Sequence, residues 1–208
     1  MKKLLLGVIL LVLVSLAPGY ARSEVGIRIS IGLPPPITFS VPPDVIVLPD
    51  TDDVYVVPDL NVDLFFWNGW WWRPWEGRWY RSRYYDRGWV YYRSVPKFYY
   101  DVDPEWRGYY TKRNWYGHNW YYERISHQRL QRQWQNWRNN QHWQRKHTWG
   151  VWQYRPKPAN QRQELRRERE RQYRARPEVR QYQQQRRQPQ VQHPRQRPGS
   201  PRIPEGGR

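Results

Sequence analysis

Residues 60–92 read LNVDLFFWNGWWWRPWEGRWYRSRYYDRGWVYY, and this stretch decides the fold class. Asn68-Gly69 separates Val62, Leu64, Phe65, Phe66 and Trp67 from Trp70, Trp71 and Trp72. Asn-Gly between apolar runs is the strongest short hairpin signal, because both residues accept the positive φ of a type I′ turn. Glu76-Gly77 and Asp86-Arg87-Gly88 supply two further turns. The spacing predicts an antiparallel β-meander. With residues 79–85 as a strand, Trp79, Arg81, Arg83 and Tyr85 share one face, and Tyr80, Ser82 and Tyr84 the other. Both faces carry aromatic rings, so one is core and the second must be covered or left as an adhesive surface.

The chain before the meander reads as extended. Val25, Ile27, Ile29, Ile31 and Leu33 alternate with Gly26, Arg28, Ser30 and Gly32, the period of two of a half-buried strand. Pro34 to Pro36 stop it. Ile37, Phe39 and Val41 alternate again, and short runs at 45–48 and 54–57 are each closed by proline. That placement suits edge strands or polyproline segments, because proline cannot donate to a ladder. After the meander, Pro104 opens a short helical turn carrying Glu105, Trp106 and Tyr109. A longer helix starts near Ser126, with Ser126 as N-cap, Ile125 and Leu130 spaced as a hydrophobic staple, and Leu130, Trp134 and Trp137 on one stripe. The fold class expected is therefore mainly β with α (α+β): a small antiparallel β-meander with one or two packed helices, plus a disordered C-terminal tail.

That tail is residues 153–208. It holds 16 Lys+Arg, 12 Gln and eight Pro with few apolar residues, too little to offset chain entropy by burial. One island, residues 160–176, reads as a solvated helix: Asn160 and Gln163 resemble a capping box, Glu164 and Glu170 precede Arg167 and Arg174, and Pro177 stops it.

At the other end, residues 1–21 have the form of a secretory signal peptide. Lys2 and Lys3 precede an apolar stretch of 13 residues, 4–16, and Gly19 and Ala21 mark cleavage after Ala21. Thirteen apolar residues fall short of the roughly 20 that span a bilayer. The expected organisation is signal peptide 1–21, a Pro-interrupted extended segment 22–58, a Trp-rich meander with a helix 59–152, and the tail. No transmembrane segment is expected in the mature chain, and its location is the periplasm or the exterior.

The 208 residues carry 36 Lys+Arg against 18 Asp+Glu, a net +18, with 15 Trp, 17 Tyr and no Cys. Without cysteine there is no disulfide framework, thiol nucleophile or thiolate metal site. The charge is uneven. Residues 22–66 are net −5, residues 67–152 net +10 with every tryptophan, and residues 153–208 net +11.

No string supports catalysis. Asp59-Leu60-Asn61-Val62-Asp63 opens like a calcium loop, but Leu64 stands where glycine is needed and Trp70 where the closing Glu would be. Strand alternation with Leu60, Val62 and Leu64 inward explains it without metal. His118, His127, His142 and His147 form no i, i+3 or i, i+4 pair, and no serine lies in a nucleophile elbow. Neither a cofactor nor a metal is expected, and a metal-dependent enzyme is the weakest alternative. What remains is the interleaving of rings and guanidinium groups in Trp72, Trp75, Arg78, Trp79, Arg81 and Arg83. These are the candidate ligand-binding residues, through stacking and anion pairing; the competing explanation is that the rings are core and the arginines lie over them.

The runs Val54-Tyr55-Val56-Val57-Pro58-Asp59 through Phe66, Asn68 through Pro74 and Gly77 through Ser82 resemble uncharacterised exported proteins of Gram-negative bacteria, over about residues 37–151. The resemblance implies an envelope location and a shared small domain, and no activity or site. The expected function is a non-enzymatic structural or adhesive envelope protein that binds an anionic polysaccharide or lipopolysaccharide through the basic aromatic surface and the cationic tail. The alternative is an extracellular nucleic-acid-binding protein, which rests on the same charge.

Overall fold

The structure is a computed structural model, and it describes residues 32–187. The expected signal peptide, residues 25–31 of the strand expected over 25–33, and residues 188–208 lie outside the described residues; Gly32 and Leu33, which are described, form no strand.

Six antiparallel strands form one sheet in chain order: β1 (Ile46–Val47), β2 (Tyr55–Val56), β3 (Phe65–Trp67), β4 (Trp70–Trp75), β5 (Arg78–Ser82) and β6 (Val90–Tyr92). The meander and the α+β class are as expected. Asn68 (φ 50°) and Gly69 (φ 76°) make the β3–β4 turn, and Glu76 (φ 47°) and Gly77 (φ 69°) the β4–β5 turn. Both are two-residue turns with positive φ at each position, which matches the twist of the paired strands. Strands β1 and β2, from the proline-interrupted segment, belong to this same sheet, and β2 lies inside it between β1 and β3. Residues 37–41 form no strand; Ile37 and Phe39 instead pack on the sheet.

β5 ends at Ser82, three residues before the expected Tyr85. The Ser82 hydroxyl donates to the Arg87 carbonyl and accepts from the Tyr84 N–H at 3.0 Å. This local turn competes with the ladder, so Arg83 and Tyr85 leave the strand. The 59–63 stretch also departs from its expected alternation. It is a bend in which Val62 is exposed, and the Asp59 and Asp63 carboxylates are held by Arg124 at 2.7 Å and Arg107 at 2.8 Å.

Helices lie on both faces. On one, α1 (Trp106–Lys112) and a 3-10 turn (Lys97–Asp101) precede a small hairpin, β7 (Asn114–Trp115) and β8 (His118–Asn119). On the other, α2 (His127–Asn140) begins at Ser126, whose hydroxyl accepts from the Arg129 N–H, and it buries Leu130 and Trp137. Ile125, the residue before that cap, is buried in the same cluster as Leu130, as the staple predicts.

Sheet alternation sorts the aromatics into two cores. Ile46, Val56, Phe65, Trp72 and Trp79 pack with Phe98, Trp106, Trp115 and Trp120. Val47, Tyr55, Phe66, Trp71 and Tyr80 pack with Leu130, Trp137, Trp143 and Trp149. Adjacent residues thus serve opposite layers, and neither face of the sheet is left bare.

Part of the first core's cover comes from the segment expected to be unfolded. As far as Arg187 that expectation is corrected: residues 159–187 form α3 (Ala159–Ala175) and α4 (Pro177–Arg187). Tyr173 and Val179 are buried in the first core. Asp101 and Asp103 receive Arg166 and Arg169, each at 2.6 Å. A few buried side chains and charge-assisted bonds hold this helical pair, which bulk composition underrates. The capping box is not formed, since Pro158 is the N-cap and offers no side-chain bond. Pro177 does more than stop α3: it opens α4 at a first position, where a missing N–H costs nothing. The Glu170–Arg174 pair is present at 2.6 Å. Gly77 touches the start of α4 so closely that an added Cβ would lie 2.5 Å from the Glu178 carbonyl oxygen.

Candidate anion-binding groove

The six candidate residues do not converge on one surface. Trp72 and Trp79 are core, at 3% and 2% exposure. The Trp72 indole donates to the Trp67 carbonyl at 3.2 Å, and the Trp79 indole to the Tyr173 hydroxyl at 2.9 Å. Neither ring can lie against a ligand in solvent, because the packing of each face encloses them. Trp75 is half-buried at the β4–β5 turn, its ring 6.2 Å from that of Tyr80. Arg81 and Arg83 stack on Trp70, with guanidinium carbons 4.4 and 3.6 Å from the ring centroid. Arg83 also donates to the Gly69 carbonyl at 2.8 Å.

Arg78 opens on a cavity, and the buried Trp79 beside it forms part of that cavity's wall. Between the β5–β6 edge and the α3–α4 pair runs a groove of about 530 Å³, bordered by Arg78, Arg93, Arg186, Tyr91, Tyr92 and Tyr182. Its geometry follows from two registers. Arg78 and Tyr80 bracket the start of β5, and Tyr80 faces Tyr91 of β6 across the ladder. Helix α4 places Tyr182 and Arg186 on one face at i, i+4. The hydroxyls of Tyr91 and Tyr182 meet at 2.5 Å, joining strand edge to helix. Arg78 and Arg186 both stack on the Tyr182 ring, 4.9 and 5.9 Å from its centroid.

The groove is cationic. None of Arg78, Arg93 and Arg186 has a carboxylate within ion-pair distance among the described residues, and the Nε of Arg78 is buried without a hydrogen-bond partner. The acid on the groove wall, Glu170, is neutralised by Arg174. Burial and then the bond to Tyr182 push the Tyr91 phenol up to about 12, so it remains a neutral donor and acceptor at ordinary pH. Guanidinium forks beside phenol rings can pair with carboxylate or phosphate and lie along sugar or base faces.

The histidines are dispersed. His127 stacks 5.8 Å from Trp71, where burial lowers its pKa; His142 stacks on Trp137; and His118 lies on β8 with its Nδ1 3.2 Å from the Trp152 carbonyl. Among the described residues no group of three or more His, Asp or Glu is placed to hold a metal, and no helix is long and apolar enough to cross a membrane.

Sequence reasoning found Arg78 and Trp79 but missed Tyr91, Tyr92, Arg93, Tyr182 and Arg186. The last two sit in a segment judged by composition alone. The available signal was Val179 and Tyr182 at i, i+3 in a stretch otherwise almost devoid of apolar residues. Comparison with protein-family profiles, curated proteins and solved structures finds no match to this chain.

Proposed function

We propose that this is a non-enzymatic exported protein of the cell envelope that holds an anionic polysaccharide or lipopolysaccharide in the groove between β5–β6 and α3–α4. The observation that carries the reading is the convergence of Arg78, Arg93 and Arg186, without carboxylate partners among the described residues, around the rings of Tyr91, Tyr92 and Tyr182. Arg93 and Arg186 are exposed and Arg78 half-buried, and guanidinium groups clustered in a cleft without counter-charge raise the local potential and attract polyanions. Export is supported by the leader-like form of residues 1–21, and an adhesive role by the net +18 of the chain.

The test is a triple substitution, Arg78→Ala, Arg93→Ala and Arg186→Ala, in the mature chain. Affinity for polygalacturonate is measured from low to high salt. Three lost contacts should flatten the slope of log K against log salt by roughly 2 to 3, each contact releasing somewhat less than one counterion. An unchanged slope, with the melting temperature retained, refutes the groove. Duplex DNA added as competitor at matched charge decides between glycan and nucleic acid.

A further inference from the structure

We propose a second, independent site: a stacking platform formed by Tyr121, Asn119 and Trp152 that takes the apolar face of an uncharged pyranose ring. The chain buries ten of its tryptophans and half-buries four. Trp152 alone is exposed, at 62%, and Tyr121 is exposed at 67%. Leaving two large rings in water forgoes the burial free energy that the rest of this fold depends on.

The backbone brings them together. Trp120 bridges Val151 in antiparallel fashion. The Trp152 N–H donates to the Asn119 carbonyl at 2.9 Å, and the Tyr121 N–H to the Gly150 carbonyl at 2.8 Å. In that register Asn119 faces Trp152 and Tyr121 faces Gly150. Side chains of opposed and i, i+2 residues share a side. Trp120 and Val151 take the buried side, at 1% and 3% exposure, so Tyr121, Asn119 and Trp152 take the outer one. The Asn119 amide reaches the Tyr121 hydroxyl at 3.4 Å, which places the two side chains together. Gly150 adds nothing opposite Tyr121, and an added Cβ there would lie 2.4 Å from the Tyr121 carbonyl oxygen.

The chemistry selects the occupant. The polar groups of this ribbon face are an amide and a phenol, both uncharged, so it offers an anion no counter-charge. A pyranose matches it: its C–H face carries the positive edge that π-faces attract, and its hydroxyls suit an amide that both donates and accepts. The platform goes beyond the groove and does not depend on it; together they would make the polymer a glycan.

The probes are tetra-N-acetylchitotetraose and cellotetraose, titrated calorimetrically into the mature chain, with acrylamide quenching of tryptophan read in parallel. The expected result is saturable binding that shields the quenchable tryptophan. Tyr121→Ala and Trp152→Ala should each weaken binding roughly tenfold, the scale of one ring-stacking contact, with Trp152→Phe restoring most of it. The Arg78/Arg93/Arg186 triple variant should bind these neutral sugars normally, which separates failure here from failure of the groove. Absence of binding, affinity indifferent to both ring deletions, or a Trp152 already inaccessible to acrylamide overturns the proposal. So does dissociation of a dimer by Trp152→Ala, which would assign the platform to a second copy, or protection by a single-stranded oligonucleotide but by neither sugar.

Discussion

Asp53 sits in the β1–β2 turn at φ 51°, buried beside Asp52. Burial first, and the neighbouring Asp52 charge second, push its carboxyl up to about 6, against a weaker pull from Arg138. The folded state therefore keeps this proton to higher pH than the unfolded state does. Stability is lost as pH rises from about 4 through about 6, and the penalty is complete above that window. Asp53→Asn removes the charge and keeps a residue tolerant of positive φ. It should raise stability at pH 7.5 by up to about 3 kcal/mol, with the gain vanishing below about pH 4. Thermal melts of both proteins across pH 3.5–8 check this; a gain independent of pH would place the effect outside Asp53's ionisation.

At the scale of elements, the docking of α3 rests on Arg169. Its guanidinium donates to the Asp101 carbonyl at 2.8 Å and to the Asp103 carboxylate at 2.6 Å, with the two side chains 13% and 6% exposed. Asp103 also accepts from the Glu105 N–H at 3.0 Å and from the Tyr116 hydroxyl. Removing one partner of a buried pair leaves the other charge without compensation, at a cost of about 3–5 kcal/mol. Arg169→Met should release α3 and α4 before the sheet unfolds. Hydrogen exchange would then accelerate in residues 159–187 while the amides of β3–β5 stay protected. Uniform acceleration would show that the helical pair and the sheet form one cooperative unit, and no acceleration that the pair holds without Arg169.

For the whole molecule, the helical pair decides where a truncation is tolerated. A chain ending at Trp152 loses Tyr173 and Val179 and uncovers Trp79 and Tyr99, which Tyr173 contacts. It should bind a hydrophobic dye and melt at lower temperature. A chain ending at Arg187 should do neither and should keep the groove. Equal dye binding by the two chains would contradict the packing of the pair on the sheet.

The meander was legible because its determinants are local: Asn68-Gly69 and Glu76-Gly77 accept the backbone their turns require, and Ser126 caps its helix wherever that helix packs. Alternation likewise revealed that both sheet faces are aromatic. Which rings are core and which are surface was not legible, since Trp79 and Trp152 are one residue type and differ only in what lies over them. Nor was the groove, whose walls come from residues 77–79, 91–95 and 100 on one side and from between 170 and 186 on the other, joined by a hydroxyl contact spanning 91 positions in sequence. Local backbone chemistry and side-chain periodicity thus settle elements and turns. Burial, counter-charge and the fate of a polar segment depend on contacts between residues far apart in the chain, and only the tertiary structure decides them.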